Sequence, residues 1–435
     1  MPRWVALLAL ATLAAPAPAL ANGAFPDSLS ILLPAGQPDK ITLATNFGLV
    51  FTADGGRTWE WTCEHDSSLG ALFYQLAPPP RQSTFALGLD LVHSDDDGCS
   101  WKPATGRVAG GFLYDLFVDP GNGNRVLAAA DPNDETPRRV HIFESMDGGE
   151  TFPANLYEAE PGLDISGLEV PLGEPGTIYL TWSSTKTGEL RSGLIRVQGG
   201  AGQSFDYHDV LGGEPLGIAA VDRQDPRKIF LRAFGNERDR LALSEDGGAT
   251  VRVVLEVNRS LAGLVVRPDG TVFAPSRDLD VGTLFVSRDG GKTFPTMLPG
   301  PRFRALGDRA GRLYAAGDDA NDPFALGTSD DDGRTWKPLM SYPDVVRIKS
   351  CPGTALPQAC TGTCQRLAFL GVFHNSVCGG ASPRDAGVDA AGPTPPPKGC
   401  GCRVGGRGEG AGAALVLLAL FTGRRRRLRG GADRP

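Results

Sequence analysis

Short β-type runs follow one another along most of this chain. Each run mixes β-branched, aromatic and small residues and is bounded by turns rich in Gly, Pro and Asp. One such run recurs at similar intervals, beginning at Lys40, Ser83, Arg125, Thr177, Lys228, Thr271 and Arg312. Another run precedes each of these and two more follow, with no helical periodicity between them. The pattern predicts an all-β domain of short antiparallel strands over residues 28 to about 340.

A polar turn word marks every repeat. TADGGRTW at Thr52 returns as SDDDGCSW, SMDGGETF, SEDGGATV, SRDGGKTF and SDDDGRTW, beginning at Ser94, Ser145, Ser244, Ser287 and Ser329. A degenerate copy that lacks the aspartate, QGGAGQSF, begins at Gln198. The seven words are spaced by 42, 51, 53, 46, 43 and 42 residues, which indicates a solenoid or a propeller. Four strands in each of seven periods predict a seven-bladed β-propeller of four-stranded antiparallel blades over residues 22–350. Each word should join the third strand of a blade to the fourth.

The words resemble the Asp-box repeats of sialidase-like (BNR) propellers, Ser-x-Asp-x-Gly-x-Thr-Trp. The resemblance implies the propeller fold and says little about activity, because one fold hosts many functions. The aspartates are Asp54, Asp96, Asp147, Asp246, Asp289 and Asp331. Each is expected to accept backbone N–H groups and close its turn, while the glycine that follows, including Gly202 of the degenerate copy, supplies a conformation that a Cβ resists. The alternative is a calcium site in SDDDG, although the spacing of a full calcium loop is absent.

Both ends of the chain read as targeting segments. Residues 1–21 combine Arg3, an apolar run and an A-x-A-type cleavage site, which is typical of an export signal peptide. Residues 379–399 hold almost no large apolar residue and are expected to form a disordered linker. Residues 400–435 contain Gly-Cys, the apolar run AGAALVLLALFTG and four consecutive arginines. This order resembles the MYXO-CTERM sorting tails of exported myxobacterial proteins.

The tail resemblance implies contact with export and sorting machinery and processing at Cys400 or Cys402. It also implies display at the cell surface or outer membrane, or release after processing, with membrane contact only through the tail. A plain transmembrane anchor is the alternative, but the apolar run is shorter than the roughly 20 residues that a span needs.

Six cysteines lie in the predicted mature chain, an even number that fits disulfides in an oxidising compartment. Cys63 and Cys99 stand at equivalent ends of adjacent repeats and are predicted to pair with each other. The other four are predicted to staple a small C-terminal cap over residues 351–378, in one of three connectivities: Cys351, Cys360, Cys364 and Cys378. A helix is expected within residues 360–373, and the run VVRIKSC before the cap should close the ring or extend the last blade. A zinc site with His374 is an alternative that lacks a C-x-x-C pair.

Charge and motifs limit the classes of function. The predicted mature chain carries 34 Lys and Arg against 48 Asp and Glu, a net charge near −14 that argues against nucleic acid or anionic lipid as the main partner. No phosphate loop, Ser-His-Asp arrangement or pair of catalytic carboxylates stands out, and the Arg-Ile-Pro-type motif of sialidases is absent. We therefore expect no cofactor, no metal and no catalytic residue.

The predicted ligand face lies opposite the turn words. Its loops join the second and third strands and vary most in blades 3 to 7, and variable loops on a rigid scaffold tend to carry function. The candidate ligand residues are Asp131, Arg138, Arg139, Glu237, Arg238, Asp278 and Asp319. Further charged residues on these loops are Asp134, Glu135, Asp239, Arg240, Asp280, Asp318 and Asp322. The alternative is that all of them are solvated loop tips.

Two classes of function remain. The first is a non-enzymatic, surface-displayed binding or scaffold protein for an extracellular glycan, protein or cation, a class that includes the photosystem-assembly propellers with related repeats. The second is a glycoside hydrolase of sialidase-like or other propeller type, which needs paired catalytic groups. The scarcity of catalytic motifs favours the first class.

Overall fold

The strands form seven antiparallel sheets that follow one another in sequence order. A computed structural model describes residues 26–63, 73–132, 135–277 and 281–379. The four main strands of each blade come from one continuous stretch of chain, and the innermost strands of the last and first blades contact each other, so the blades form a ring. The seven-bladed β-propeller of four-stranded antiparallel blades is therefore confirmed.

The first three blades contain strands β1 to β14. Blade 1 contains β1 Ser28–Leu32, β2 Ile41–Thr45, β3 Gly48–Thr52 and β4 Trp59–Thr62. Blade 2 contains β5 Phe73–Leu76, β6 Thr84–Leu87, β7 Leu91–Ser94 and β8 Lys102–Pro103, and is followed by the two-residue strand β9 Thr105–Gly106. Blade 3 contains β10 Phe112–Val118, β11 Val126–Asp131, β12 His141–Ser145, β13 Thr151–Phe152 and β14 Ala154–Glu158, of which β13 pairs with β9 in parallel.

The remaining blades repeat the same order. Blade 4 contains β15 Asp164–Glu169, β16 Thr177–Ser184, β17 Arg191–Gln198 and β18 Ala201–Asp206, and the short helix α1 His208–Leu211 follows it. Blade 5 contains β19 Leu216–Val221, β20 Ile229–Ala233, β21 Arg238–Ser244 and β22 Arg252–Asn258. Blade 6 contains β23 Ser260–Leu261, β24 Val265–Val266, β25 Val272–Arg277, β26 Gly282–Ser287 and β27 Thr296–Gly300. Blade 7 contains β28 Ala305–Arg309, β29 Arg312–Ala316, β30 Leu326–Ser329 and β31 Lys337–Met340.

The middle strands form the core. Every residue of β2, β3 and β11 is buried, because neighbouring blades cover both faces of these strands. This is why they read as unbroken apolar runs and not as strict alternations. Phe85 and Phe143 belong to one cluster shared by blades 2 and 3, and Ile142 and Leu180 belong to the next. Fully burying such a side chain contributes roughly 1.5–3 kcal/mol, so the contacts between blades hold the ring.

The innermost strands are irregular. Their register with the second strand shifts at a bulge in blades 1, 3, 4 and 5, and the bulge in blade 5 falls at Ala219. In blade 6 the innermost strand is broken into β23 and β24. Pro275 lies opposite the break; its carbonyl accepts the Ala262 N–H at 2.8 Å, but proline has no N–H to return. The proline therefore interrupts the ladder at this point.

The ring closes without any exchange of strands between blades 1 and 7. The strand β32, Val345–Ile348, returns instead to blade 1 and pairs in parallel with β4 as a fifth, outer strand. The run VVRIKSC therefore closes the ring, which is one of the two predicted alternatives. On the inner side, Asp27 accepts hydrogen bonds from Arg277 at 2.9 Å and Arg304 at 2.7 Å, which join blade 1 to blades 6 and 7.

A disulfide-bonded cap follows β32. It contains the helix α2, Leu356–Phe369, and the 3-10 turn Asn375–Cys378, while a second 3-10 turn, Tyr342–Asp344, precedes β32. The predicted cap and its helix are therefore present, although the helix begins before residue 360. The cap covers the β2–β3 turn of blade 1, where Phe373 packs edge-on against Phe47 with ring centres 5.9 Å apart.

The predicted pairing of the cysteines is wrong. The bridges are Cys63–Cys360, Cys99–Cys351 and Cys364–Cys378. Cys63 and Cys99 do lie on adjacent blades, but each is bonded to the cap, because β32 brings residues 351–360 next to the outer edge of blade 1. Disulfides persist in oxidising compartments, so the three bridges agree with an extracellular location.

Blade 4 departs from the predicted repeat. Its third and fourth strands are joined by a two-residue turn, Gly199–Gly200, whose φ values are 57° and 81°. Gly202 lies within β18 and has no positive φ, so its predicted turn role is wrong. Its lack of a side chain matters for another reason: a Cβ there would lie 2.7 Å from the ring of Tyr157.

Several predictions concern segments outside the described residues. These are the signal peptide, the linker beyond Gly379 and the sorting tail with Cys400 and Cys402. Within the described ranges, no helix is both long enough and apolar enough to cross a membrane.

Candidate functional site

Six turns between third and fourth strands share one hydrogen-bond arrangement, and we call them the aspartate turns. They contain Asp54, Asp96, Asp147, Asp246, Asp289 and Asp331. In blade 1, Asp54 Oδ1 accepts the N–H groups of Arg57 at 2.9 Å and Thr58 at 3.0 Å, and Oδ2 accepts the Thr58 hydroxyl at 2.7 Å. The Thr52 hydroxyl donates to Oδ1 and accepts the Gly56 N–H. Equivalent hydroxyl bonds recur in the other five turns. The glycine of each turn has a φ between 80° and 93°, which favours glycine.

These bonds keep the carboxylates charged. The hydroxyl and N–H of Thr58 hold the pKa of Asp54 well below its ordinary value. For Asp147 burial raises the pKa, but hydrogen bonds from Ser145 and Thr151 outweigh it and bring the pKa down to about 2. The carboxylate oxygens are thus used by the turns themselves.

The aspartate turns also hold neighbouring blades together. Arg81 of blade 2 donates to the main-chain carbonyl of Asp147 in blade 3 and pairs with Glu150 at 2.8 Å. Arg267 of blade 6 pairs with Asp332 of blade 7 at 2.6 Å. Both the internal and the external bonds of these turns are therefore structural.

Replacing one of these aspartates should reduce stability. In Asp246→Ala the N–H and hydroxyl of Thr250 lose their acceptor, and we expect the free energy of unfolding to fall by about 0.5–2 kcal/mol. Urea denaturation measures the change. Glu245→Ala, at the preceding and exposed position, is the control and should cost less, because its ion pairs are superficial. Equal effects of the two variants would contradict the structural role of Asp246.

The loops between second and third strands lie on the opposite side of the ring, together with the crossings between blades. Asn46, in the β2–β3 turn, accepts the N–H of Asp27 at 2.9 Å, and the carbonyl of Glu237 accepts the N–H of Arg259 at 2.8 Å. We call this side the loop face. On the other side of the ring, the aspartate turns bond to the turns between the first and second strands of their own blades. In blade 1, the Gly55 N–H donates to the Asp39 carbonyl at 2.9 Å.

The predicted ligand residues of blade 3 are engaged within that blade. Asp131 is 1% exposed and lies 3.6 Å from Arg138 at the end of β11, so this candidate ligand residue is buried, and the alternative of a solvated loop tip does not apply to it. Arg139 pairs with Glu158. Glu135 accepts a hydrogen bond from His141 at 2.9 Å if that ring nitrogen carries the proton.

The other predicted ligand residues are equally local. Arg238 pairs with Glu256 within blade 5, and Glu237 beside it is exposed. Asp319 accepts the N–H of Tyr342 at 3.2 Å, and burial raises its pKa. Asp134, Asp278 and Asp280 lie outside the described residues. The structure therefore does not gather the described candidates into one cluster.

A cluster that the sequence did not reveal surrounds Asp27 on the loop face. Arg304 Nε lies 2.7 Å from both carboxylate oxygens of Asp27, and its Nη2 pairs with Asp318 at 3.0 Å. Arg277 donates to Oδ2 of Asp27 as well, at 2.9 Å. Arg302 pairs with Asp322 at 3.1 Å beside them. These residues come from blades 1, 6 and 7, and the sequence separation of 250 and 277 residues from Asp27 to the arginines leaves no local pattern to find.

The same face carries a cavity of about 190 Å³ between the innermost strands of blades 5 and 6, which we call the blade 5–6 cavity. Gly217 and Gly263 form part of its wall, and Gly263 has a φ of 126° in the break between β23 and β24. Arg232 and Phe234 also line it, with the guanidinium 4.4 Å from the ring centre. Arg232 Nε and Nη2 bond to Asp239 at 2.7 and 2.6 Å, and Asp239 is 3% exposed, so this predicted loop carboxylate is a buried ion-pair partner.

Two carboxyl groups on innermost strands keep their protons to an unusually high pH. Asp115 of blade 3 accepts the Leu168 N–H of blade 4 at 2.7 Å, and Glu169 of blade 4 accepts the Val221 N–H of blade 5 at 3.4 Å. Burial raises the pKa of Asp115 to about 7 and that of Glu169 to about 8. Each group reaches onward to the next blade, so the two connect successive strands, and the charge of Asp115 adds to the raised pKa of Glu169.

The described residues offer no metal site. No three His, Cys, Asp or Glu side chains among them are grouped as ligands. The zinc alternative with His374 is wrong, because all six cysteines of the propeller and cap are bonded in disulfides.

Comparison with known proteins finds only distant structural similarities. No protein-family model matches the chain, and no curated protein matches it significantly. Among solved structures it is similar to the GH74 enzyme of Niastella koreensis (12% identity, TM-score 0.40, 72% of this chain and 66% of the enzyme). It is also similar to YCF48 from Cyanidioschyzon merolae (12%, 0.43, 67% and 92%) and to the β-propeller domain of the Trilobed protease from Pyrococcus furiosus (12%, 0.48, 73% and 99%). The chain spans less than two thirds of the GH74 enzyme.

Proposed function

We propose that this chain is a non-enzymatic binding or scaffold propeller displayed at the cell surface, and that its partner is a protein held on the loop face. Exposed apolar side chains at the loop face carry the proposal. They come from five consecutive blades: Leu89, Phe112, Leu190, Val210, Phe234 and Val281, each 38% or more exposed. Near the aspartate turns, exposure to that degree is found at Met146 and Leu172 and, on the outer strands that follow two of the turns, at Val253 and Met297. Exposed apolar groups gathered on one face are typical of protein interfaces.

The position of the cap also supports the loop face as the surface that holds the partner. Its contact with Phe47 leaves that residue 9% exposed and covers the loop face of blade 1. The exposed apolar side chains of the loop face lie on blades 2 to 6, so they occupy the part of this face that the cap leaves open. The Asp-box resemblance of the turns belongs to this proposal as a mark of the propeller scaffold. The MYXO-CTERM resemblance of the tail belongs to it because it implies the surface display that an extracellular partner needs.

Photo-crosslinking on intact cells tests the proposal. A benzophenone amino acid replaces Leu190 or Val281 on the loop face, or Met297 on an outer strand as the matched exposed control. We expect one adduct of the same mass from both loop-face positions and none from Met297. Adducts only from the outer strand, or none at all, would overturn the proposed surface.

The purified chain should also be tested against glycans. A glycan array combined with hydrolysis assays separates the two classes of function. We expect no turnover of any glycoside. Turnover would contradict the non-enzymatic role, and saturable glycan binding that Phe112→Ser, Leu190→Ser and Phe234→Ser together abolish would make the partner a glycan instead of a protein.

A further inference from the structure

The blade 5–6 cavity has the size of one side chain. Its volume of about 190 Å³ corresponds to about six water molecules, at roughly 30 Å³ each. Pockets that enclose a whole small-molecule ligand measure roughly 300–1,000 Å³. The cavity is therefore suited to a single anchoring group of a larger partner.

The lining of the cavity selects an apolar group. Gly217, Ile218, Ala219, Leu261 and Gly263 form most of its wall and offer no polar side chain. A sugar hydroxyl placed there would lose its hydrogen bonds to water with few partners in return, which is unfavourable. An aliphatic or aromatic side chain loses nothing of that kind.

Two local irregularities create the space. The bulge at Ala219 widens β19, and the break opposite Pro275 separates β23 from β24. Arg232 pairs in register with Gly217, whose missing side chain leaves room for Phe234: a Cβ on Gly217 would lie 3.1 Å from that ring. Bulges at the ends of strands often reshape a surface for binding.

Arg232 supplies a donor at the edge of this apolar space. Its Nε and Nη2 are taken by Asp239, and among the described residues no hydrogen bond involves Nη1. A guanidinium held on one side by a buried carboxylate keeps its remaining N–H groups fixed for an acceptor. A main-chain carbonyl of a polypeptide is such an acceptor next to an apolar side chain.

We propose that the blade 5–6 cavity is the anchor subsite of the loop face and receives one leucine-, methionine- or phenylalanine-sized side chain of a polypeptide partner, with Arg232 Nη1 donating to the adjacent main-chain carbonyl. The inference rests on the proposed function and names the chemistry of the partner. A deep apolar anchor surrounded by smaller contacts is the usual form of an interface hot spot.

The test uses small probes and needs no knowledge of the partner. The purified chain is titrated with the N-acetyl N-methylamides of leucine, phenylalanine and serine while the amide resonances of Gly217 and Gly263 are followed by NMR. The leucine and phenylalanine compounds should shift both resonances saturably, with Kd on the order of 1–10 mM for molecules of this size. The serine compound should not. Absence of any saturable shift with the apolar compounds would overturn the subsite.

Ala219→Leu fills the cavity and should abolish the shifts, whereas Ala320→Leu, at an exposed position in the β29–β30 loop of the same face, should leave them unchanged. Unchanged binding to folded Ala219→Leu would place the probe elsewhere and overturn the proposal. If that variant does not fold, the comparison of leucine and serine compounds on the native chain still decides it. Loop-face crosslinks without probe binding would refute the subsite alone, and probe binding without crosslinks would refute the proposed partner surface alone.

Discussion

Removing both disulfides between cap and propeller should leave the ring barely stable. Either bridge alone closes a very long loop, because Cys63–Cys360 and Cys99–Cys351 span 297 and 252 residues. While one remains, loss of the other frees only the 35 residues between Cys63 and Cys99 and the eight between Cys351 and Cys360. Loop-closure entropy then gives a cost of about 4 kcal/mol for either bridge and about 9 kcal/mol for both. The second value approaches the whole stability of an ordinary domain, about 5–15 kcal/mol.

Urea denaturation of paired Cys→Ala variants measures these costs. The matched control removes Cys364–Cys378, which lies within the cap, spans 14 residues and should cost about 3 kcal/mol without opening the ring. Limited proteolysis distinguishes the variants. In the variant that lacks both bridges between cap and propeller, β32 should detach and expose the outer edge of blade 1. A cost for both bridges that is no larger than for one would show that packing of the cap, and not the covalent closure, holds blades 1 and 7 together.

The attachment of the cap to blades 1 and 2 also explains why the cysteine pairing could not be read from the sequence. Cys63 and Cys99 occupy equivalent ends of neighbouring repeats, and repeat order is a good guide to proximity inside the propeller. It fails at the point where the ring must close, because there the C-terminal segment is the neighbour of blade 1. Only the parallel pairing of β32 with β4 puts Cys351 and Cys360 within reach of the two blades.

The blades were predictable because their turns are self-contained. In each aspartate turn the aspartate, the hydroxyl residue two positions before it and the one four positions after it bond to each other, so a window of eight residues records the whole geometry. Blade 4 shows the limit of this reasoning. The Gly199–Gly200 turn reaches the same topology with different residues, and the resemblance of QGGAGQSF to the other words in Gly202 and Phe205 was misleading.

The site was less predictable for two reasons: some apparent loop carboxylates are buried, and the larger features join separate blades. Asp131 and Asp239 looked like loop carboxylates, yet they lie at or within strands and are buried beside Arg138 and Arg232. The cluster around Asp27 and the blade 5–6 cavity both depend on elements far apart in the chain. The one available signal for the cavity was Pro275, since a proline inside the strand run TVFAP indicates a broken ladder.

The stability of the propeller should fall as the pH rises from about 5 to 9. Burial raises the pKa of Asp115 to about 7 and of Glu169 to about 8, so the folded state binds protons that the unfolded chain, with ordinary values near 4, has already lost. A raised folded pKa contributes stability that is fully present below the unfolded pKa and disappears as the pH passes the folded pKa. At 1.36 kcal/mol per pKa unit, each group contributes up to about 4 kcal/mol over this range. Chemical denaturation at several pH values should show the decline.

The double variant Asp115→Asn and Glu169→Gln should remove most of this pH dependence, because the amides keep an oxygen for the Leu168 and Val221 N–H groups but cannot ionise. Asp147→Asn is the control with the opposite sign. Its carboxylate has a pKa of about 2, so it contributes stability that is present above the unfolded pKa and is lost as the pH falls toward 2, and its replacement should leave the slope between pH 5 and 9 unchanged. A native chain whose unfolding free energy is flat from pH 5 to 9 would show that Asp115 and Glu169 are ionised in the folded ring. In that case the strand ends around them must be hydrated, and the two carboxylates would have to be reconsidered as groups that can meet a ligand.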